Sequence, residues 1–423
     1  MIANTCISSW NTISVDPADT LTNYINGAQL LPTIIATTYN MPANTGANVK
    51  VGIVSLGGGW LPGDLQKSMG NLGLTLAQPI TSVLVDGAGN VFSTSDSNAS
   101  LENTLDLYCL AGIAPSANIV IYTGQNSLTG FANVLNRAVN ENCDVITISW
   151  GTDEYYGYGD FLSAPLANAA SKGITVLAAS GDFGGEGGGT PGVLSVNYPA
   201  SSPNVVAVGG TTLNYNTGTY ARFSETASTY SGGGISTLFS VPTWQAGLLA
   251  NIFFSGNNTS HLTSLTGRGV PDISAPFGEP TEPYVLWYNG SISGATGTSA
   301  ATPILAGMFA RYISSSGRRP IPNAIHKILY SNSSAYFDIT YGNNDDLLTT
   351  GYTANVGWDA VTGLGAPIST SLYQTVTSGG TTVKTAANTW SYVSNIRVKT
   401  TANTWSNVRA IYTKTINGWQ QTF

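Results

Sequence analysis

The chain has 423 residues, a mass of 43.9 kDa and a formal net charge of −7. Charged residues make up only 9% of it, against about 25% in an ordinary globular domain, whereas 42% of its residues are hydrophobic. This composition excludes a nucleic-acid-binding protein driven by a basic patch, and it excludes intrinsic disorder, which combines low hydrophobicity with high charge. The length fits two or three domains or one large α/β domain.

The search for targeting signals and the cysteine pattern further limit the expected cellular location and the kinds of site. No apolar run reaches the ~18 residues that a membrane span needs, and no basic stretch followed by an apolar one marks a secretory signal near the N-terminus. Three cysteines (Cys6, Cys109 and Cys143) form no CxxC pair, which argues against a zinc knuckle or a dense disulfide framework. A surface poor in charge suits a protein that works outside a cell or at acid pH.

The first half of the chain alternates between strand and helix patterns. Five runs are apolar throughout, as in strands buried on both faces, at residues 50–56, 118–123, 144–150, 174–180 and 204–209. Helical patterns lie among them at residues 101–112, 131–142 and 162–172. The alternation predicts an α/β fold with a mostly parallel, doubly wound sheet and helices on both faces.

The second half is less regular. Residues 210–290 are rich in Gly, Ser, Thr and aromatics, which predicts long loops that carry substrate contacts. A helix is predicted at residues 299–314, directly after a run of small residues.

The last 41 residues form a tandem repeat with a period of 15. The tripeptide VKT at 383–385 recurs at 398–400 and, as TKT, at 413–415, and each unit carries a tryptophan. From residue 383 onward there are five basic and no acidic residues, which leaves a charge of about −12 on the rest. The pattern predicts a small β-rich repeat module, joined by a linker at Gly379-Gly380, that attaches the protein to a larger assembly or surface. Docking of the basic tail on the acidic body is the alternative.

Two acidic residues lie one turn apart at the start of the first predicted helix. Glu102 and Asp106 share one helix face beside an apolar stripe that includes Leu105. If they are partly buried, their mutual repulsion raises the pKa of one, so that a proton is held near the other; such a pair can act as a general base without histidine. The alternative is a solvated acidic face.

Ser299 lies where a loop of small residues, GATGTSAATP at 294–303, leads into the predicted helix. Small neighbours let a substrate backbone approach, and free N–H groups at a helix start stabilise a developing oxyanion. The alternative is an ordinary serine at a helix N-terminus. Asp182, just after the predicted strand 174–180, is placed for function because sites gather at the carboxyl ends of strands, although aspartate is also a routine turn residue.

Histidine is the usual base of a serine hydrolase, and the chain has only two. His261 is predicted in a polar loop and His326 on a surface helix, so both are interpreted as surface residues, and a Ser-His-Asp triad has no local motif behind it. No GxSxG motif surrounds Ser299, which argues against a lipase. Near the C-terminal side, Asp338 and Asp359 are separated by carbonyl-rich turns and are candidates to bind a hard cation such as calcium.

Taken together, these motifs resemble the sedolisin family of serine-carboxyl peptidases, over about residues 30–372. Besides the helix with two carboxylates, the matching segments in order are 51–59 (VGIVSLGGG), 148–151 (ISWG), 180–182 (SGD), 198–203 (YPASSP), 232–236 (GGGIS), 269–272 (GVPD), 297–299 (GTS) and 357–359 (GWD). The resemblance implies a subtilisin-like fold. It implies Ser299 as nucleophile, Glu102 as general base, Asp106 as the carboxylate that shares its proton, and Asp182 as a protonated acid in the oxyanion hole.

The resemblance also implies one structural calcium ion. Its ligands would be the side chains of Asp338 and Asp359 and the carbonyls of Ile339, Asn355 and Gly357, with Asn355 standing where the family usually has glycine.

This interpretation divides the chain into an N-terminal extension (residues 1–30), a sedolisin-like peptidase domain (31–378) and the repeat tail (379–423). The expected function is an endopeptidase that acts on proteins or peptides at acid pH, extracellular or virion-associated. The tail is similar to short Trp-containing repeats of phage virion proteins, and fewer than 50 residues precede the first core strand, where the family generally has a large prodomain. The alternative is a catalytically silent scaffold with a structural or adhesion role.

Overall fold

The computed structural model describes residues 30–92, 97–187, 192–254, 259–345 and 350–377, together with the backbone of eight short strands nearer the termini. Cys6, the linker Gly379-Gly380 and most of the N-terminal extension lie outside the described residues. The helices are α1 (Pro32–Thr38), α2 (Pro62–Asn71), α3 (Ser97–Ile113), α4 (Leu128–Asn140), α5 (Ser163–Ser171), α6 (Thr298–Ser316), α7 (Ile325–Leu329) and α8 (Ser369–Thr377). In the part of the chain that is described, none of them has the length and apolarity to cross a membrane.

The strands follow one another along the whole chain. The first nine are β1 (Asn4–Thr5), β2 (Ser9–Thr12), β3 (Lys50–Ser55), β4 (Thr81–Leu84), β5 (Asn118–Thr123), β6 (Val145–Ile148), β7 (Trp150–Asp153), β8 (Thr175–Ala179) and β9 (Asn197–Tyr198). The next nine are β10 (Val206–Tyr215), β11 (Arg222–Ala227), β12 (Gly234–Ile235), β13 (Leu249–Phe254), β14 (Thr259–Ser264), β15 (Gly269–Val270), β16 (Ile273–Pro276), β17 (Tyr284–Tyr288) and β18 (Ser291–Thr296). The last nine are β19 (Tyr336–Phe337), β20 (Thr350–Tyr352), β21 (Ala366–Pro367), β22 (Thr382–Ala386), β23 (Thr389–Tyr392), β24 (Arg397–Thr401), β25 (Thr404–Asn407), β26 (Tyr412–Thr415) and β27 (Gly418–Gln421).

The central sheet has eight strands in the order β11-β10-β8-β6-β3-β5-β4, with β16 paired to β10 as well. All its pairings are parallel except that of β10 with β11. The five strand patterns found in the sequence all belong to this sheet. The predicted α/β fold with a mostly parallel sheet is therefore confirmed.

Both faces of the sheet are covered, because successive side chains of a strand point to opposite sides. Ile53 of β3 packs in the core that includes α3 and α6, whereas its neighbour Val54 packs in the core that includes α4 and α5. Burial on both faces explains why the strands are apolar throughout rather than alternating.

The prediction of long loops across residues 210–290 is wrong. This region contains strands β11 to β17 and most of β10. Two of the pairings join segments that are distant in the sequence: β13 pairs with β20, and the hairpin of β17 and β18 is extended by β2. Local composition could not predict these pairings, because such a strand forms only when its partner strand completes its backbone hydrogen bonds.

The described strands of the tail form three antiparallel pairs, one in each repeat. A lysine Cα lies opposite a tryptophan Cα in each pair: Lys384 and Trp390, Lys399 and Trp405, and Lys414 and Trp419. The tail as a separate module with a partner stays a prediction.

Candidate active site

Ser299 is the second residue of α6, and the chain reaches it directly from strand β18. Gly297, which precedes the helix, has φ 145°, a conformation that favours glycine because other residues meet steric strain there. The turn leaves Ser299 fully buried at the N-terminal end of a 19-residue helix. Its N–H lies among the first backbone donors of α6, which have no partner within the helix.

Glu102 and Asp106 lie on α3, which packs against α6. The Ser299 hydroxyl donates a hydrogen bond of 3.0 Å to Oε2 of Glu102, across 197 residues of sequence. Both carboxyl groups are fully buried, so the interpretation of this helix face as a solvated acidic surface is wrong. The structure thus places the serine beside one carboxyl group of a buried pair.

Burial controls the protonation of this pair. Burial raises the pKa of Glu102 well above its usual range, and the nearby Asp106 charge raises it further, while the hydrogen bond from Ser299 opposes the rise. Burial also raises the pKa of Asp106, against hydrogen bonds from Ser149 and Glu102. Two buried carboxyl groups in contact do not both ionise easily, so the pair retains a proton at acid and neutral pH.

Ser149 is a residue of this site that the sequence reasoning did not single out. It follows strand β6, is fully buried, and donates a hydrogen bond of 2.7 Å to Oδ1 of Asp106. Its hydroxyl also lies 3.4 Å from the backbone carbonyl oxygen of Ser299. The available signal was its place at the carboxyl end of a predicted central strand, where functional side chains gather.

Asp182 lies just after β8 and faces the start of α6. Its Oδ1 accepts hydrogen bonds from the backbone N–H of Thr298 at 2.8 Å and from the Thr298 hydroxyl at 2.7 Å. Gly181 has φ 112°, which favours glycine, and its carbonyl oxygen also accepts from the Thr298 hydroxyl, at 3.2 Å. Asp182 is thereby held next to Ser299, and sequence reasoning gave no role to the neighbouring Thr298.

Neither histidine takes part in this arrangement. His261 is exposed, as predicted, although it lies on strand β14 rather than in a loop. The interpretation of His326 as a surface residue is wrong: it is buried, stacks on Trp244 with 4.8 Å between ring centroids, and contacts Asp272 at 3.4 Å. Its burial depends on packing of α7 against distant segments, which a short helical pattern cannot reveal.

The two aspartates proposed for calcium lie against the same turn. Oδ2 of Asp338 accepts from the Gly357 N–H at 2.9 Å, and Oδ2 of Asp359 accepts from the Asn355 N–H at 3.2 Å. Burial raises the pKa of Asp359 to about 7, and within the described ranges it has no salt-bridge partner. The same ranges hold no group of three or more His, Cys, Asp or Glu side chains that could bind a metal. Carboxylate oxygens are ligands that calcium prefers, so the two side chains are compatible with such an ion.

Comparisons with known proteins identify relatives of this chain. The subtilase family matches residues 88–365. Kumamolisin from Bacillus sp. (strain MN-32) is 34% identical over 357 residues, which cover 81% of this chain and 63% of the relative. Sedolisin from Pseudomonas sp. (strain 101) is 33% identical over 365 residues, which cover 79% and 59%. This chain therefore spans about 60% of the length of these two relatives.

A solved structure agrees with the sequence comparisons. Pseudomonas sedolisin, a serine-carboxyl proteinase crystallised with two molecules of pseudo-iodotyrostatin, superposes with a TM-score of 0.69 at 28% identity. The match covers 84% of this chain and 100% of that one. The resemblance read from the sequence motifs is thereby confirmed.

Proposed function

Because the chain belongs to the sedolisin family and matches the subtilase family model, we propose that it is a serine-type endopeptidase that cleaves proteins or peptides at acid pH. The observation that carries the proposal is the hydrogen bond of 3.0 Å between the buried hydroxyl of Ser299 and the carboxyl group of Glu102. A hydroxyl becomes a useful nucleophile only beside a base that takes its proton, and this carboxyl is within reach.

In the proposed reaction, Ser299 Oγ attacks the carbonyl carbon of the substrate while its proton passes to Glu102. Glu102 then returns the proton to the leaving amine, and water hydrolyses the acyl-enzyme by the reverse sequence. Asp106 assists because it shares the proton of the pair, which spares Glu102 from carrying a full buried charge.

Asp182 is proposed to stabilise the oxyanion as a neutral carboxylic acid. Since Thr298 holds Oδ1 with two hydrogen bonds, the acid proton belongs on Oδ2, where it can be donated to the substrate oxygen. The N–H groups at the start of α6 add partial positive charge at the same place.

The proposal predicts a bell-shaped pH profile that lies below neutrality. Activity should fall at high pH as Asp182 ionises, and at low pH as the carboxyl pair takes up its second proton and can no longer accept one from Ser299. Digestion of an unfolded protein such as casein, followed from about pH 3 to pH 8, measures this profile. A rate that climbs to a plateau near pH 8 would point to a base of another kind and contradict the proposal.

We also propose that one calcium ion stabilises the C-terminal part of the domain. The side chains of Asp338 and Asp359 and the carbonyls of Ile339, Asn355 and Gly357 would hold it. The ion would supply the positive charge that the buried Asp359 lacks, and it would take no part in the chemistry.

Calcium removal is predicted to lower the melting temperature. A ligand at 100 times its Kd adds about 2.7 kcal/mol to the native state, so a chelator should lower Tm by several degrees. Asp338→Ala suits the test because Asp338 is exposed, so its removal does not damage the core; the variant should melt at one temperature with or without calcium. Calorimetry of both proteins decides, and a parent protein that is indifferent to the chelator would refute the site.

We place the protein outside the cell or on a virion, with the tail as its attachment to a larger assembly. The Lys–Trp pairing of each tail repeat supports this, since tryptophan with a basic rim is typical of anchors. Truncation after Ser378 should leave peptidase activity unchanged and abolish association with particles or surfaces. Loss of activity on truncation would show that the tail belongs to the catalytic domain.

A further inference from the structure

Ser149 lies at a junction between the carboxyl pair and the nucleophile. Strand β6, which it follows, is paired on both sides, to β3 and to β8, so its backbone is fixed in the middle of the sheet. The Ser149 hydroxyl is 2.7 Å from Oδ1 of Asp106 and 3.4 Å from the carbonyl oxygen of Ser299. Its hydroxyl also lowers the pKa of Glu102. A single buried hydroxyl therefore reaches both the carboxyl pair, at Asp106, and the backbone of Ser299.

A serine hydroxyl has one proton to donate and two lone pairs with which to accept. When Asp106 is ionised, Ser149 donates to it. When Asp106 carries the shared proton, Ser149 can accept from Asp106 and turn its own proton to the Ser299 carbonyl. The direction in which the Ser149 hydroxyl donates thus depends on whether Asp106 carries the shared proton. Its two acceptors are Asp106 and the backbone carbonyl of Ser299.

We propose that Ser149 is a positioning residue, whose hydroxyl couples the protonation of the Glu102–Asp106 pair to the placement of Ser299. The inference rests on the proposed function for its catalytic meaning, but the contacts that carry it are independent of any substrate. Ser149 acts through Asp106 and the backbone of α6 rather than on the reacting atoms.

The charged and titratable groups around the pair are few. Asp182 raises the pKa of Glu102 when ionised, and Cys109, one turn along α3 from Asp106, is a buried thiol whose own pKa is raised by burial and by the two carboxyl groups. Against the rise from burial, hydrogen bonds from Ser149 lower the pKa of Glu102 and of Asp106. Loss of the Ser149 hydroxyl should therefore make the pair take up its second proton at higher pH.

Infrared titration of the buried carboxyl C=O band measures the pH at which the Glu102–Asp106 pair takes up its second proton. The measurement does not require an active enzyme. We would compare Ser149→Ala with its parent, both in a Ser299→Ala background that prevents self-digestion. Removal of a hydrogen bond to an ionised group should move the titration midpoint upward by about one pH unit. In the protein with Ser299 intact, the acid limb of the kcat/KM profile should move upward by the same amount.

Thr147→Val is the matched control, because Thr147 is buried on the same strand and its hydroxyl has no hydrogen-bond partner among the described residues. Its midpoint should not move. If Ser149→Ala does not fold, Ser149→Cys keeps the volume with a weaker donor and should shift the midpoint in the same direction.

The two proposals fail in different ways. An unchanged infrared midpoint would overturn the role of Ser149, even if the variant lost activity, because lost packing alone slows a reaction without moving the titration. A protein that cleaves nothing at any pH would refute the proposed function. The infrared shift would still test the positioning role of Ser149.

Discussion

Ser299→Ala is expected to slow peptide cleavage by on the order of 10⁶-fold, which in practice abolishes it. Without the hydroxyl no acyl-enzyme forms, and what remains is the assistance of Asp182 and of substrate binding alone. The fold should persist, because the substitution removes one oxygen from a buried helix start and creates no charge.

The measurement is kcat/KM on a peptide substrate at the optimal pH, with circular dichroism to verify folding. Thr302→Ala provides a control on the same helix: among the described residues its buried hydroxyl bonds to the Thr298 carbonyl alone, 2.7 Å away, so its loss should change the rate little. A Ser299→Ala protein that retains even a tenth of the parent rate would exclude this serine as the nucleophile.

Arg268→Met is expected to destabilise the protein by about 3–5 kcal/mol at neutral pH. The guanidinium of Arg268 and the carboxylate of Asp272 are both completely buried, 2.6 Å apart. Tyr330 and the Ala207 N–H also donate to this carboxylate, at 2.9 Å and 2.8 Å. Removal of Arg268 leaves an ionised group in the core without its principal partner.

The pH dependence of this loss is a sharper test. Burial by itself raises the pKa of Asp272, but Arg268 and His326 overcome this and lower it to about 2. A depressed folded-state pKa contributes stability that is complete above the unfolded value of about 3.9 and is lost only as pH falls through about 2. Without Arg268 the pKa rises, the variant can bury a neutral Asp272, and its deficit should shrink between pH 7 and about pH 4.

Urea unfolding of both proteins at the two pH values measures the deficit, in a Ser299→Ala background to prevent autolysis. Arg311→Met is the matched control, because Arg311 is buried but donates only to the carbonyls of Ile113 and Pro42. Its deficit should be similar at both pH values. An Arg268→Met deficit that is equally insensitive to pH would show that the lost guanidinium, rather than the stranded charge, is responsible.

The elements that could be predicted from the sequence are those whose pattern is local. Strands β3, β5, β6 and β8 are short apolar runs, and α3 and α6 are periodic segments, so each was recognisable alone. The contact between Glu102 and Ser299 could be predicted only from the order of the motifs, which resembles that of the sedolisin family. Local sequence does not indicate that α3 will pack against α6.

The rest depended on tertiary contacts. Strand β13 is completed by the distant strand β20, and His326 is buried by segments far from it in the sequence. Ser149 looked like any small residue at a strand end, since its importance lies in the atoms that meet it from α3 and α6. The role of such a side chain depends on its neighbours in the folded protein and cannot be predicted from the residue type alone.

The sequence separation between Ser299 and Glu102 also affects when the proposed site can form during folding. Glu102 meets Ser299 across 197 residues, and the strand leading to Ser299, β18, pairs with β2 of the N-terminal extension. Contacts of such high sequence separation form late in folding, because their loop-closure entropy must be overcome first. During synthesis, the base leaves the ribosome long before the hydroxyl it would activate, so a nascent or truncated chain contains no working site. If Ser299 and Glu102 act as we propose, the topology delays assembly of the site until α6 has been made.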